Sequence, residues 1–135
     1  FIQVQRNTSP TMIRQTTTKV MSVGVVLMGM IHVLATFSPM IADKLALLPG
    51  ATQEAFRYFS LMCGTLLILG GSIINLLAEK VAEHDFVRKP YCLTLGILVV
   101  AGVLAVCYMP HNPFAWMIFA LTMLLLLVNV GRRGE

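Results

Sequence analysis

One imidazole interrupts an otherwise apolar stretch. His32 lies in VMSVGVVLMGMIHVLATF, residues 20–37, which holds no carboxylate, lysine or arginine. An ionisable side chain in such a run is costly in lipid and usually turns toward protein or water. His32 could therefore act as a proton-linked group, a ligand contact or a metal ligand, with Thr36 one turn further along the same face. The plainer reading is a neutral ring hydrogen-bonded to Thr36, to a backbone carbonyl or to a tyrosine of another helix. It is favoured because no other His, Asp or Glu is embedded at similar depth. Matched depth nominates Glu54, Arg57, Tyr58, Tyr108 and His111, with His32 and Thr36, as the ligand-binding lining of a polar vestibule opening outward.

Other chemistry lacks parts. There is no glycine-rich phosphate loop before a strand, no HExxH, no GxSxG and no pair of intramembrane carboxylates. A haem held by two histidines would need a second embedded His, whereas His84 and His111 fall in connections. Glu83, His84 and Asp85 are adjacent and lack the separated spacing of a structural zinc site. Cys63, Cys92 and Cys107 form no CxxC pair, and the nine methionines are scattered through apolar runs as adaptable packing residues. No catalytic residue, metal or cofactor is expected. Asn75 and Asn129, near the inner ends of their helices, read as amides bridging neighbouring helices.

The elements that must position these groups are hydrophobic helices. With 57% apolar and 12% charged residues in 135, a soluble fold would have more apolar surface than it can enclose, and lipid can cover the remainder. The expected fold is an all-α integral membrane protein, an antiparallel four-helix transmembrane bundle. Its spans fall at about 20–37, 55–78, 91–109 and 113–130, each near the 20 residues that a hydrocarbon core requires of a helix. The first helix should run over about 19–37 and stop at Ser38, before Pro39. Residues 39–48, with Ser38 as N-cap, are too short to cross and read as an interfacial helix between spans 1 and 2, closed by Pro49 and Gly50. The second helix should begin near Thr52 or Gln53, and the third at Pro90. The fourth follows the PHNP turn, with Asn112 as cap and Gly131 as stop. Residues 1–19 form an N-terminal tail, 20–130 one membrane domain and 131–135 a C-terminal tail. Met12 is a candidate natural start, which would make residues 1–11 non-native or processed sequence.

Charge sets the expected orientation. Of ten Lys and Arg residues, Arg6, Arg14, Lys19, Lys80, Arg88, Lys89, Arg132 and Arg133 lie in the two tails and the connection between spans 2 and 3, leaving only Lys44 and Arg57 on the other side. The positive-inside rule then makes both termini cytoplasmic in a bacterial inner membrane, or matrix-side in a mitochondrial inner membrane. Tyr58, Phe59, Tyr108, Phe114 and Trp116 fall near the outer interface. The basic residues flank apolar runs and do not cluster with exposed aromatics, so nucleic acid is not the expected partner.

Helix contacts are expected along small residues, because association in lipid depends on close packing. The second helix offers Ser60, Gly64, Gly71 and Asn75 in one stripe, the third Ala101 and Ala105, and the first Gly24 and Gly29. The functional expectation is a non-catalytic small membrane protein that binds a lipid or other amphipathic ligand, or an accessory subunit of a larger membrane complex. An oligomeric proton-linked transporter or channel using His32 is the first alternative, and an intramembrane enzyme the second. Expected partners are membrane lipid and either a homo-oligomer or a larger membrane complex.

Overall fold

The computed structural model of the protein describes residues 10–130, so the expectations placed on Arg6, Gly131, Arg132, Arg133 and the outermost tails lie outside it. The described chain is an all-helical four-helix membrane bundle. In order, α1 is Pro10–Thr36, α2 the short Pro39–Leu45, α3 Gly50–Leu77, α4 Asp85–Tyr108 and α5 Pro113–Val130, with a single 3-10 turn, Lys80–Ala82, between α3 and α4. The four long helices are long and apolar enough to cross a membrane.

Helix boundaries depart from the hydropathy pattern where polar residues extend the helices. Among the described residues α1 extends from Pro10 instead of from near Lys19, and the hydroxyls of Thr16 and Thr17 within this extension donate to the carbonyls of Met12 and Ile13 at 3.0 and 2.9 Å. At 1.5 Å per residue its 27 residues come to about 40 Å, longer than the hydrocarbon core, so its first turns continue beyond the apolar part. α3 likewise begins at Gly50, with Pro49 in extended backbone ahead of it. α2 stops at Leu45 rather than at residue 48, so the connection, residues 46–49, falls earlier in the chain than expected without being shorter.

α4 starts at Asp85, five residues before Pro90. His84, in extended backbone, precedes it, and Asp85 in the first turn suits the positive end of the helix dipole. Pro90 sits inside the helix, where it removes only the bond its N–H would make to the Phe86 carbonyl. Asn112 does cap α5, its Oδ1 accepting the Phe114 N–H at 3.0 Å, and the Trp116 indole donates to the Pro110 carbonyl at 2.8 Å, fixing the PHNP turn.

Around the bundle the helices neighbour one another in the order α3, α1, α5, α4, with α4 closing against α3. A central apolar core runs through Val25 and Met28, Leu67 and Ile74, Leu95 and Leu98, and Ile118 and Leu125. The polarity of the two surfaces is inverted relative to a soluble bundle. Thr18, Ser22, Thr36 and Thr122 are buried, while Leu34, Leu76, Leu93 and Leu127 project outward with 65–73% of their surface exposed. Leaving each such leucine in water would forgo about 1.5–3 kcal/mol, whereas lipid removes that cost. The inversion agrees with the apolar spans in requiring a lipid surround.

Candidate functional site

The half of the α1–α3 seam nearer the C-terminal end of α1 holds His32. Its Nε2 lies 3.2 Å from Ser60 Oγ, Ser60 Oγ lies 2.7 Å from Thr36 Oγ1, and the Thr36 hydroxyl donates to the His32 carbonyl at 3.0 Å. Each hydroxyl has one proton, which orders the chain: with the Thr36 proton on the carbonyl, Ser60 donates to Thr36, and His32 Nε2 carries the proton that Ser60 accepts. The ring is therefore tied into a closed loop across two helices. Glu54, Arg57, Tyr58, Tyr108 and His111 are all exposed, and none is hydrogen-bonded to His32 or Thr36. Tyr58 instead packs edge-on against Phe59. The geometry thus joins His32 and Thr36 to Ser60, which the sequence nominates for packing, and not to the other five nominated residues.

Ser60→Ala opens this loop at its centre, and an interhelical hydrogen bond in a membrane protein is worth about 0.6 kcal/mol and at most about 1.7. A small fall in unfolding free energy is expected, with His32→Ala adding little to Ser60→Ala because both act on one network. Reversible unfolding of the parent, the two single variants and the double variant in mixed micelles checks this.

Below His32 the seam is made by glycines. A Cβ on Gly29 would come within 2.8 Å of the Gly64 carbonyl oxygen and 3.0 Å of the Ile68 nitrogen, and one on Gly71 within 2.9 Å of the Ser22 carbonyl oxygen. Gly64 reciprocates against Val33 and the Gly29 carbonyl. Gly24 faces a different neighbour, Leu121 of α5. On α4 it is Gly102, between the expected Ala101 and Ala105, that seats against Thr122 and Phe119 of α5, while Ala101 and Ala105 are only half-buried.

The opposite end of the bundle carries two further polar clusters flanking one turn of α1. From α3, the Asn75 amide donates to the Lys19 carbonyl at 3.2 Å and to Ser22 Oγ at 3.0 Å, while the Ser22 hydroxyl donates to the same carbonyl at 2.8 Å. From α5, the Asn129 amide donates to the Leu125 carbonyl at 2.7 Å and reaches Thr18 Oγ1 at 3.5 Å, while its Oδ1 accepts the Tyr91 hydroxyl of α4 at 2.7 Å. Among the described residues no buried side-chain nitrogen or oxygen lacks a hydrogen bond. These interior polar atoms are committed to hydrogen bonds within and between helices.

At the boundary, Lys19 Nζ pairs with Glu79 just past the end of α3. The hydrogen bond from Lys19, and then its charge, hold the Glu79 carboxyl below its ordinary value of 4.5. The folded state therefore favours the ionised form. Its contribution is full above about pH 4.5 and is lost as pH falls through the lowered value. Acidification should lower the thermal midpoint in detergent, and Glu79→Gln should lessen that fall; an unchanged acid profile would contradict it. The effect is small because the pair is exposed.

A groove opens on the lipid side between α4 and α5 at this same end. It has a volume of about 260 Å³ and is lined by Val81, Arg88, Tyr91, Cys92, Leu95, Gly96, Leu126, Asn129 and Val130. Its α4 residues repeat at helical spacing, 88, 91, 92, 95 and 96, and α5 supplies 126, 129 and 130, so two antiparallel helix faces form its walls. Along α4 it runs about 12 Å, from the Arg88 guanidinium to Gly96, at 1.5 Å per residue. A Cβ at Gly96 would meet no atom within 4 Å, so that glycine leaves a notch in the wall rather than a helix contact.

Of these residues the sequence singles out Asn129 for bridging, Arg88 for topology and Cys92 as a thiol outside any CxxC pair. Tyr91, Gly96 and Leu126 it leaves unmarked. The available signal was the run of Arg88 and Lys89 followed by Tyr91, a cation and an amphipathic ring at one membrane boundary. Cys63, Cys92 and Cys107 are free and exposed, and the described residues bring no three His, Cys, Asp or Glu side chains together as a metal site. Comparison with protein-family models, with curated proteins and with solved structures returns no match.

Proposed function

We propose that the protein is a non-catalytic membrane protein that binds a lipid or other amphipathic molecule in the groove between α4 and α5. The observation that carries this reading is the groove's graded wall. Arg88 stands at one end beside Val81 and Val130, the Tyr91 hydroxyl and the Asn129 amide, hydrogen-bonded to each other, lie one turn further in, and Leu95, Gly96 and Leu126 lie beyond them. Apolar walls with a few placed polar groups are the usual composition of a small-molecule site. Proton-linked transport through His32 has less support, because the ring's partners are a serine and a threonine that join two helices.

The positive-inside rule supports a further reading, that the end carrying Arg14, Lys19, Lys80, Arg88 and Lys89 faces the cytoplasm of a bacterial cell, or the matrix in a mitochondrion. On that orientation the groove opens to the inner leaflet.

Cys92 provides a local test, since it lines the groove while Cys63 and Cys107 lie elsewhere on the bundle. Purified in mild detergent, the protein should retain one lipid per chain by native mass spectrometry. Added phospholipid should slow maleimide labelling of Cys92 and leave the other two thiols unchanged. A chain that retains no lipid, with Cys92 labelled equally fast in its presence, would defeat the reading.

A further inference from the structure

We infer that the groove selects a phospholipid of net negative headgroup, with Arg88 as the group that binds its phosphate; this rests on the lipid-binding reading above. The Arg88 side chain lines the mouth and is exposed. Among the described residues the single ion pair is Lys19 with Glu79, so the guanidinium is not committed to a carboxylate, Asp85 one turn earlier on α4 included. Lys89 follows it in sequence, and Lys80 precedes Val81 of the groove wall; both are exposed. Glu83 and Asp85 are the acids of the same connection, and Glu79 is held by Lys19.

A guanidinium presents a planar fork of N–H donors matched to phosphate oxygens. At the depth of Tyr91 and Asn129, about one helical turn below, a phospholipid carries its glycerol esters, and beyond them its chains meet Leu95, Gly96 and Leu126. The open notch at Gly96 leaves room for chain methylenes to lie against the α4 backbone. A zwitterionic headgroup would bring its own cation toward Arg88, Lys89 and Lys80. An anionic one brings none, and that difference is the basis of selection.

The test uses the full chain, delipidated in detergent, titrated by native mass spectrometry with phosphatidylglycerol or with phosphatidylcholine of identical acyl chains. Phosphatidylglycerol is expected to bind about tenfold more tightly, because both lipids offer a phosphate to Arg88 but only phosphatidylcholine brings a cation toward Arg88, Lys89 and Lys80. Arg88→Gln should weaken both lipids through the lost phosphate contact, phosphatidylglycerol the more, so that most of the preference disappears, and Arg88→Lys should restore part of it. Gly96→Phe, which fills the notch, should weaken both lipids alike. Inorganic phosphate at matched concentration should not compete, since it has no chains to seat.

Equal affinity for the two lipids, each lost in Gly96→Phe, would overturn the headgroup assignment and leave lipid binding standing. A preference that survives Arg88→Gln, or full displacement by inorganic phosphate, would overturn it as well. Binding of neither lipid would remove the reading on which it rests.

Discussion

Gly29→Ala is expected to destabilise the bundle by about 1–3 kcal/mol, the cost of overpacking a close-fitted contact. The reason is what the added methyl would meet. Its nearest neighbours include the Gly64 carbonyl oxygen at 2.8 Å and the Ile68 nitrogen at 3.0 Å, both backbone atoms of α3, which cannot rotate aside as a flexible side chain can. Relief requires the α1 and α3 axes to separate, and separation acts along the whole seam: Gly64 against Val33, Gly71 against the Ser22 carbonyl, and the His32, Ser60 and Thr36 loop. In lipid there is no hydrophobic gain to offset lost contacts, because acyl chains solvate an apolar helix as well as a neighbouring helix does. Gly96→Ala is the internal control, since its methyl meets nothing within 4 Å. Unfolding in mixed micelles should show Gly29→Ala well below the parent and Gly96→Ala level with it. Two variants equally stable would contradict the seam described here.

Asn75→Leu is the second large effect. Leucine has the same branched heavy-atom skeleton as asparagine and is at home in lipid, so the change chiefly removes the amide. It removes two donations to α1, to the Lys19 carbonyl and to Ser22 Oγ. With each interhelical bond worth about 0.6–1.7 kcal/mol, a loss of about 1–3 kcal/mol is expected. Ser22 retains its own bond to the Lys19 carbonyl, so Ser22→Ala in the Asn75→Leu background should cost less than Ser22→Ala alone. Additive losses would mean that the two side chains act independently, against the shared geometry at this turn.

Much of the architecture was legible in the chain because lipid imposes a simple rule: every span must satisfy its own backbone and present an apolar exterior. Four spans, a short helix after Ser38 and the Asn112 cap follow from run length and punctuation alone. Boundaries were less legible. Hydropathy marks where α1 meets lipid, near residue 20, but the helix runs back to Pro10 because nothing between Thr11 and Lys19 breaks it, and the Thr16 and Thr17 hydroxyls are satisfied by the carbonyls of Met12 and Ile13. Pro90 signals a start, yet a proline so close to a helix N-terminus removes little, and α4 begins at Asp85.

The seam and the site differ in the same way. Ser60, Gly64, Gly71 and Asn75 advertise a contact face by size and period, and these side chains do lie along α1. The groove advertises nothing by period, because it exists only where α4 and α5 leave space between them. Gly96 illustrates the limit. Its residue type is the same as that of Gly102 six positions on, yet one opens a notch and the other presses on Thr122, a distinction made by rotation about the α4 axis and not by composition. Conversely, His32 is conspicuous in sequence because it is rare in a span, and rarity does not distinguish a functional ring from one that ties two helices together.

The most direct measurement is to find where a lipid sits. A phospholipid bearing a photoactivatable group on its acyl chain is added at one equivalent to the delipidated protein in detergent, irradiated, and the modified peptides are sequenced. The expected result is label on α4 around Cys92 to Gly96 and on α5 around Leu126 to Val130, reduced in Gly96→Phe. Label concentrated beside His32 and Ser60, or spread evenly over all four long helices, would contradict a lipid site between α4 and α5.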